Sequence, residues 1–232
     1  MKCIVPLAGP DIYTEKYGLK PSYLVDNEPL LPKIINSRNW FGNRLMEEDI
    51  IFLIRDMEQL DELKNFLTSH FPKSKKVILP GFTKGALLTA LSGVSLITDF
   101  LEPIVVDLVD IFFKSNIDPI NYFNNDVKTV GLIPYFKSNN PGYSYLDLDN
   151  NGLLIRSREK QVISDNASAG VYFFRNISVF LSAVIYSINN EKEISYKDNL
   201  FLCPSFNGVI ENGFNVYSFE VESYDDKSTI FK

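Results

Sequence analysis

The sequence has few of the residues on which histidine-based catalysis and thiolate metal sites depend. Its 232 residues include one histidine, His70, and two cysteines, Cys3 and Cys203. A single imidazole excludes chemistry that needs two, and two thiols are too few for a zinc cluster. We interpret His70 as a surface residue that ends an amphipathic helix, where a cation suits the helix dipole. Both cysteines lie in apolar runs, so we expect buried, reduced thiols.

Positive charge is also scarce. The chain has 23 lysines and arginines against 29 aspartates and glutamates, a net charge of −6. It therefore has no overall field for attracting nucleic acid, and an anionic ligand must be bound by a local cluster of cations. Its apolar runs are too short to span a membrane, and we expect no signal peptide in its first residues. We expect a cytoplasmic protein with neither a nucleic-acid nor a membrane partner.

Hydrophobic residues make up 45% of the chain, which is enough for a sizeable core and argues against intrinsic disorder. In the first half, continuous apolar strands alternate with segments of helical periodicity. This order is typical of a mostly parallel sheet with helices on both faces. The predicted strands span 3–8, 49–54, 76–79 and 103–110, and the predicted helices span 30–39, 58–71 and 85–96.

The pattern changes after Asp110, where strands dominate and short turns connect them. Predicted strands span 129–136, 143–148, 153–158, 169–174 and 215–221, and one helix spans 177–188. We expect this half to be mixed or antiparallel and to extend the first sheet. The fold class is therefore α/β, with a Rossmann-like, mixed, mostly parallel central sheet and a single domain over residues 1–232.

The connection between the first strand and the first helix is unusually long and runs from Leu7 to Pro21. Sheets of this class bind ligands at the carboxyl ends of their strands, and long loops there are usually functional. Gly9 would let the backbone approach a base or phosphate, while Lys16 and Lys20 would supply positive charge. The alternative is an ordinary solvated loop.

Two aspartates end the most apolar strand, in Asp107-Leu108-Val109-Asp110. Positions i and i+3 of a regular strand point to opposite faces, so the two carboxylates should not share one site. We predict Asp110 as a Mg²⁺ ligand, because Mg²⁺ takes one or two carboxylates together with substrate phosphates. The alternative is an aspartate that caps a turn.

A third group of charged residues is Arg156-Ser157-Arg158-Glu159-Lys160, which lies shortly before the apolar strand that Gly170 opens. Such a charge run is commonly a solvated strand end. The glycine, however, again permits close backbone approach, which would suit a bound ligand beside Glu159 and Lys160.

Taken in order, these segments resemble the sugar-phosphate nucleotidyltransferases, which join an NTP and a sugar 1-phosphate into an NDP-sugar and pyrophosphate. The resemblance covers residues 4 to about 221. Its motifs are Ile4-Val5-Pro6-Leu7-Ala8-Gly9, Lys20-Pro21-Ser22-Tyr23, Pro29-Leu30-Leu31, Pro80-Gly81-Phe82-Thr83-Lys84-Gly85-Ala86, Val105-Val106-Asp107-Leu108-Val109-Asp110, Glu159-Lys160 and Ala169-Gly170-Val171-Tyr172-Phe173-Phe174.

The resemblance implies a role for each matching residue. The NTP would be bound by Leu7, Ala8, Gly9, Lys20 and Gly85, with help from Lys16. The phosphorylated acceptor would be bound by Glu159, Lys160 and Gly170. Mg²⁺ would be held by Asp110, with Asp225 as the counterpart of a second metal aspartate. The catalytic residues would be Lys20, Asp110 and Lys160, in a pathway that makes precursors of a capsule or another surface polysaccharide. Whether the protein is a homo-oligomer is left open.

The opening loop differs from the family pattern Gly-x-Gly-x-Arg, because Gly9 is followed by Pro10-Asp11-Ile12-Tyr13. The second glycine and the arginine are absent, and Lys16 would replace the arginine only as a point charge. A non-catalytic nucleotide-binding or regulatory relative is therefore one alternative function. Another is a metal-dependent glycosyltransferase, although the Lys20-Pro21 and Glu159-Lys160 pairs favour nucleotidyl transfer.

Overall fold

A computed structural model describes residues 1–226 of the chain, and its centre is a 10-stranded sheet that receives strands from both halves of the sequence. The strands are β1 (Lys2–Leu7), β2 (Tyr13–Thr14), β3 (Gly18–Leu19), β4 (Leu24–Val25), β5 (Glu28–Pro29), β6 (Ile50–Arg55), β7 (Lys75–Leu79), β8 (Ile104–Asp107), β9 (Ile111–Lys114), β10 (Thr129–Lys137), β11 (Ser144–Leu148), β12 (Leu154–Glu159), β13 (Asn166–Ser168), β14 (Val171–Phe174), β15 (Asn215–Glu220) and β16 (Ser223–Asp226). The helices are α1 (Leu30–Asn36), α2 (Leu60–His70), α3 (Ala86–Val94), α4 (Pro119–Asn125), α5 (Ile177–Asn189), α6 (Glu191–Ile194) and α7 (Leu202–Glu211).

The central sheet is mixed. Its strand order is β12-β11-β13-β10-β14-β8-β1-β6-β7, with β15 paired to β10. Strand β1 is parallel to β6 and β8, and β14 is antiparallel to both β8 and β10. Only β12, β13 and β14 run against the remaining strands of this sheet, so its strands are mostly parallel. The predicted fold class is confirmed.

The sheet is covered on both faces, which is why its inner strands are apolar at most positions. Alternate residues of β1 belong to different cores, with Cys3 and Val5 on one face and Ile4 on the other. The first face packs against α1 and α2, and the second packs against α3, α5 and α7. Each fully buried Leu, Ile or Phe in these layers contributes about 1.5–3 kcal/mol.

The helix ends follow from local chemistry. Helix α5 begins after Asn176, whose side chain accepts a hydrogen bond from the backbone N–H of Val179 at 3.1 Å and so caps the first turn. Helix α2 ends at His70, because Pro72 disfavours a helical conformation at Phe71. The His70 side chain is exposed, as expected.

Helix α7 was not predicted, since Pro204 and Gly208 weaken its helical pattern. Pro204 is tolerated because it lies in the first turn. Gly208 is required by packing, because a Cβ there would lie 2.3 Å from Cγ of Tyr186 in α5. Helices α4 and α6 and the short strands β2, β3, β4, β5, β9, β13 and β16 were also missed.

Both cysteines are buried and form no disulfide, and burial raises the pKa of each thiol. These two thiols are therefore core residues, as expected. Among the helices of residues 1–226, none combines the length and the apolar character that crossing a membrane requires.

Candidate active site

A cavity of about 670 Å³ opens where β1 and β8 end, at the carboxyl edge of the parallel part of the sheet. This is the edge at which α/β sheets bind ligands. Its walls come from segments that lie far apart in the sequence. They include nine of the residues predicted to form the site, namely Leu7, Ala8, Gly9, Lys20, Gly85, Asp110, Glu159, Lys160 and Gly170.

The long loop after β1 is well structured. A 3-10 turn spans Pro10–Ile12, a short hairpin joins β2 to β3, and a second 3-10 turn spans Lys20–Ser22. Gly9 has an extended backbone, with φ −69° and ψ 165°. A Cβ at this position would lie 2.7 Å from Oδ1 of Asp11, the movable end of a side chain. Gly9 is therefore not needed for backbone conformation; it leaves room at the cavity wall.

Lys20 forms the centre of a charged group, the Lys20 cluster, together with Asp11 and Asp110. Its Nζ lies 2.5 Å from Oδ1 of Asp110 and 2.9 Å from Oδ2 of Asp11. Only 7% of Lys20 is exposed. Burial by itself lowers the pKa of Lys20, but the two neighbouring carboxylates outweigh it and raise the pKa above its ordinary value. The Lys20 ammonium is therefore charged at neutral pH.

Asp107 and Asp110 do not share one site, as expected, but a turn separates them and not a regular strand. Strand β8 ends at Asp107, whose carboxylate is buried against Arg38. Val109 then adopts φ +50°, a left-handed conformation that is unusual for a β-branched residue. This turn brings Asp110, and not Asp107, to the cavity wall.

Glu159 and Lys160 form a second group, the Glu159 cluster, at the end of β12. The hydroxyl of Ser144 donates a hydrogen bond to Oε2 of Glu159. Burial raises the pKa of Glu159, although the Ser144 hydrogen bond and the Lys160 charge act in the opposite direction. Lys160 has φ +51°, and its ammonium lies 5.2 Å from the ring centre of Tyr196 and 5.9 Å from that of Phe201. A strained, non-glycine backbone at a cavity wall is typical of functional positions.

Gly85 and Gly170 both have positive φ, at +95° and +75°. A Cβ on Gly85 would lie 2.3 Å from the carbonyl oxygen of Leu200, so only glycine fits there. A Cβ on Gly170 would lie 3.7 Å from Leu108, an ordinary contact. Gly85 thus has a structural role in joining the start of α3 to the start of α7, in addition to lining the cavity.

No protein-family model matches the sequence, and no curated protein is significantly similar to it. Solved structures do match its fold. A nucleoside-diphosphate-sugar pyrophosphorylase from Vibrio cholerae superposes with a TM-score of 0.79 at 19% identity, covering 100% of this chain and 99% of that one. The inositol-1-phosphate CTP transferase from T. maritima gives a TM-score of 0.65 at 12% identity, covering 99% and 93%. A UDP-glucose pyrophosphorylase complexed with UDP-glucose gives 0.64 at 16% identity, covering 95% and 91%.

The chain has the sugar-phosphate nucleotidyltransferase fold. At these sequence identities the similarity is one of backbone fold. The roles of individual side chains in this nucleotidyltransferase fold therefore rest on the geometry of the cavity and not on the comparison.

Two predicted site residues do not line the cavity of this nucleotidyltransferase fold. Lys16 is exposed in the turn between β2 and β3, with its ammonium 4.7 Å from the ring centre of Tyr17. Asp225 is exposed in β16, opposite Phe112 of β9. The next residue, Asp226, accepts a hydrogen bond from the hydroxyl of Tyr143, which does line the cavity.

Several cavity residues carried no recognisable signal in the sequence. Asp11 was noted only as a departure from the arginine pattern, yet it contacts Lys20 directly. Ser144 and Tyr143 lie at the start of β11, where a hydroxyl is unremarkable in sequence. Strand β11 pairs with β12, and this pairing places Ser144 opposite Glu159. Only the sheet register reveals that contact.

Proposed function

We propose that this chain is a nucleotidyltransferase that joins an NTP to a sugar 1-phosphate, or to a similar phosphorylated acceptor, and releases pyrophosphate. The observation that carries the proposal is the meeting of the Lys20 cluster and the Glu159 cluster in one cavity. Two phosphorylated substrates need two local cationic sites within reach of each other, because a chain with a net charge of −6 has no overall positive field. Lys20 and Lys160 would be those sites.

The proposed reaction is a direct displacement at phosphorus. An oxygen of the acceptor phosphate attacks the α-phosphorus of the NTP and forms a new P–O bond. The bond between the α-phosphorus and its bridging oxygen breaks, and pyrophosphate leaves with the electron pair. Such chemistry needs positioning and charge neutralisation, and it needs no imidazole or thiolate. A cavity lined by Lys20 and Lys160 suits it.

Each charged residue then has a defined task. Lys20, held as a cation by its neighbours, would bind the triphosphate. Lys160 would bind the acceptor phosphate, and its left-handed backbone sets the direction in which its side chain leaves the chain. The hydroxyl of Ser144 orients Glu159. The Glu159 carboxylate would accept a hydrogen bond from a hydroxyl group of the phosphorylated substrate, or it would position Lys160. Leu7 to Gly9 and Gly85 would present backbone to the nucleotide.

Mg²⁺ is the cofactor that we propose. Within residues 1–226 there is no group of three or more His, Cys, Asp or Glu side chains suited to a metal ion. Asp110 and Asp11, however, each place a carboxylate oxygen within 2.9 Å of the Lys20 ammonium, so the two carboxylates lie close to each other and Mg²⁺ would bind beside that ammonium. Two carboxylates fit Mg²⁺, which completes its shell with water and substrate phosphates. When bound, the ion would neutralise charge on the triphosphate.

A second candidate function is nucleotide binding without catalysis. The observation that favours it is Asp11, which adds negative charge to the loop and engages Lys20 at 2.9 Å. In this state the lysine that should bind phosphate is already paired with carboxylates. A regulatory or catalytically impaired relative would bind an NTP and form no product.

Pyrophosphate release separates the two candidates. Purified protein is incubated with Mg²⁺, with CTP, UTP, dTTP, GTP or ATP, and with a panel of sugar 1-phosphates and other phosphorylated acceptors. We expect one NTP and one acceptor to release pyrophosphate and to give an NDP-linked product. Asp110→Ala is the control and should be inactive while still folded. Thermal stabilisation by an NTP without turnover on any acceptor would support the second candidate.

The product class suggests where such an enzyme would act. An NDP-linked sugar is an activated donor, because the nucleoside diphosphate is a good leaving group from the anomeric carbon. In an NDP-linked alcohol the phosphoanhydride bond is the activated one, and an NMP leaves. We propose that the reaction supplies precursors of a surface polysaccharide in the cytoplasm. Detection of the NDP-linked compound in cells, and its loss on deletion of the coding sequence, would test this placement.

A further inference from the structure

We propose that the buried Arg38–Asp107 ion pair is a positioning device that directs the Asp110 carboxylate into the cavity through the turn at Val109. The proposal rests on the function given above only in taking Asp110 as the residue that holds a divalent metal ion. Neither Arg38 nor Asp107 lines the cavity, so the pair would act on the site through the backbone.

The pair itself is closely packed. Arg38 follows α1, and its Nε donates to Oδ2 of Asp107 at 2.8 Å while Nη2 donates to Oδ1 at 3.1 Å. Only 3% of Arg38 and 2% of Asp107 are exposed. The guanidinium also lies 4.0 Å from the ring centre of Phe113. A buried ion pair adds little net stability compared with an apolar pair of similar volume, so stability alone does not account for it.

The same groups hold the backbone on both sides of Asp110. Oδ1 of Asp107 accepts the backbone N–H of Val109 at 2.9 Å. Nη2 of Arg38 donates to the carbonyl oxygen of Ile111 at 3.0 Å. Asp110 is the residue between these two anchored positions. Its backbone is therefore fixed from both neighbours by one ion pair.

This anchoring is needed because the turn is strained. Val109 has φ +50°, which a β-branched side chain strongly disfavours. Without the bonds to Asp107 and Arg38, the segment should relax toward an extended backbone, and successive side chains would then alternate between faces. In the observed turn, the Asp110 carboxylate instead reaches Lys20 at 2.5 Å. Mg²⁺ and Mn²⁺ sites depend on such exact placement of their ligands, and outer partners commonly change metal affinity 10- to 100-fold.

Two variants break the pair in different ways. Arg38→Lys keeps the charge, but a single ammonium cannot replace the forked guanidinium that donates to both Asp107 and Ile111. Asp107→Asn keeps an oxygen for the Val109 N–H and removes the charge that holds Arg38. The matched control is Arg44→Lys, because Arg44 forms an exposed ion pair with Asp118 at 2.6 Å, away from the cavity wall.

The measurement is the affinity of the whole protein for Mn²⁺ in the absence of nucleotide. Free and bound Mn²⁺ are distinguished by electron paramagnetic resonance. We expect Arg38→Lys and Asp107→Asn to weaken Mn²⁺ binding about 10-fold or more. Arg44→Lys should bind Mn²⁺ like the parent. Folding is checked by circular dichroism, and if Arg38→Lys does not fold, Asp107→Asn carries the test.

A second change tests the route through Val109. Glycine adopts φ +50° without strain, so adding Val109→Gly to either variant should restore most of the lost Mn²⁺ affinity. Folded pair variants with unchanged Mn²⁺ affinity would overturn the proposal, and so would a loss that Val109→Gly does not restore. Mn²⁺ binding by the parent that Asp110→Ala leaves unaltered would overturn it too. If these metal results are as expected but no NTP yields pyrophosphate, the nucleotidyltransferase proposal fails and the positioning role stands.

Discussion

The ammonium of Lys20 and the carboxylate of Asp110 lie 2.5 Å apart, although 90 residues separate them in the chain. Lys20 comes from the loop after β1, and Asp110 comes from the turn after β8. The contact is possible because β1 and β8 are adjacent and parallel, so both strands end at the same edge. Sheet topology thus brings the residues of the Lys20 cluster together. Substitutions of these residues should change stability and activity to different extents.

Replacing Lys20 by methionine should abolish pyrophosphate release and also weaken the fold. The variant keeps the apolar stem but removes the ammonium that lies between the Asp11 and Asp110 carboxylates. Because both carboxylates are partly exposed, we expect a loss of about 1–2 kcal/mol in the free energy of unfolding, less than for a fully buried pair. Urea denaturation measures it. Lys16→Met, which changes an exposed lysine of the same loop, is the stability control and should leave the free energy of unfolding unchanged.

The contribution of Lys20 to stability should persist to high pH. Its pKa is raised in the folded protein, so the folded state holds the proton more tightly than the unfolded state. The stabilisation is then complete below the ordinary value of 10.5 and is lost only as the pH rises above it. The difference in unfolding free energy between the parent and Lys20→Met should be constant from about pH 7 to 9. A difference that declines within that range would contradict the raised pKa.

Glu159→Gln should make the protein more stable and less active. Burial raises the pKa of Glu159, so its charged form is disfavoured in the folded state and stability falls as the pH rises past the ordinary value of 4.5. Glutamine removes that cost at pH 7. We therefore expect a higher melting temperature at pH 7 and no gain below about pH 4. The acceptor KM should increase about 10-fold, as for a lost hydrogen bond to a charged group.

Glu220→Gln is the matched control for this substitution, because Glu220 is an exposed glutamate at the end of β15. It should leave the acceptor KM unchanged. If Glu159→Gln lowers the melting temperature at pH 7, the charged form of Glu159 stabilises the fold and the assigned direction of its pKa is wrong.

Gly85→Ala should destabilise the protein strongly. The new Cβ would lie 2.3 Å from the Leu200 carbonyl oxygen, and φ +95° is unfavourable for alanine. We expect a loss of about 2–4 kcal/mol in the free energy of unfolding. Gly81→Ala is the control in the same segment, since no atom lies within 4 Å of its Cβ position. Similar denaturation midpoints for the two variants would contradict the close approach of Leu200.

Alternation of apolar and helical segments was enough to predict the sheet and most of its helices. The strand rule also separated Asp107 from Asp110 correctly, although the cause is a left-handed turn at Val109 and not a regular strand. Helix α7 escaped prediction because the need for Gly208 arises from its contact with Tyr186. That contact lies between two helices, so the residues next to Gly208 in the sequence do not predict it.

The same limit applies to the cavity. Lys20 and Glu159 could be proposed from neighbouring motif residues, but the partners Asp11 and Ser144 depend on loop folding and strand register. Lys16 was proposed from its charge and its position in the loop. The short β2–β3 hairpin, whose pairing single-sequence patterns do not predict, carries it away from the cavity wall.

The two carboxylates that contact Lys20 should differ in their effect on the metal ion. Asp110→Ala removes the principal proposed ligand, so pyrophosphate release should fall at least about 10³-fold at any Mg²⁺ concentration. Asp11→Ala removes a more exposed carboxylate on a loop, and the Mg²⁺ concentration for half-maximal activity should increase about 10-fold while kcat is retained. Both are measured as pyrophosphate release over a Mg²⁺ titration. If Asp11→Ala instead lowers the KM for the NTP and leaves the Mg²⁺ requirement unchanged, Asp11 restrains Lys20 and does not bind the ion. That outcome would assign the metal to Asp110 and the substrate phosphates alone.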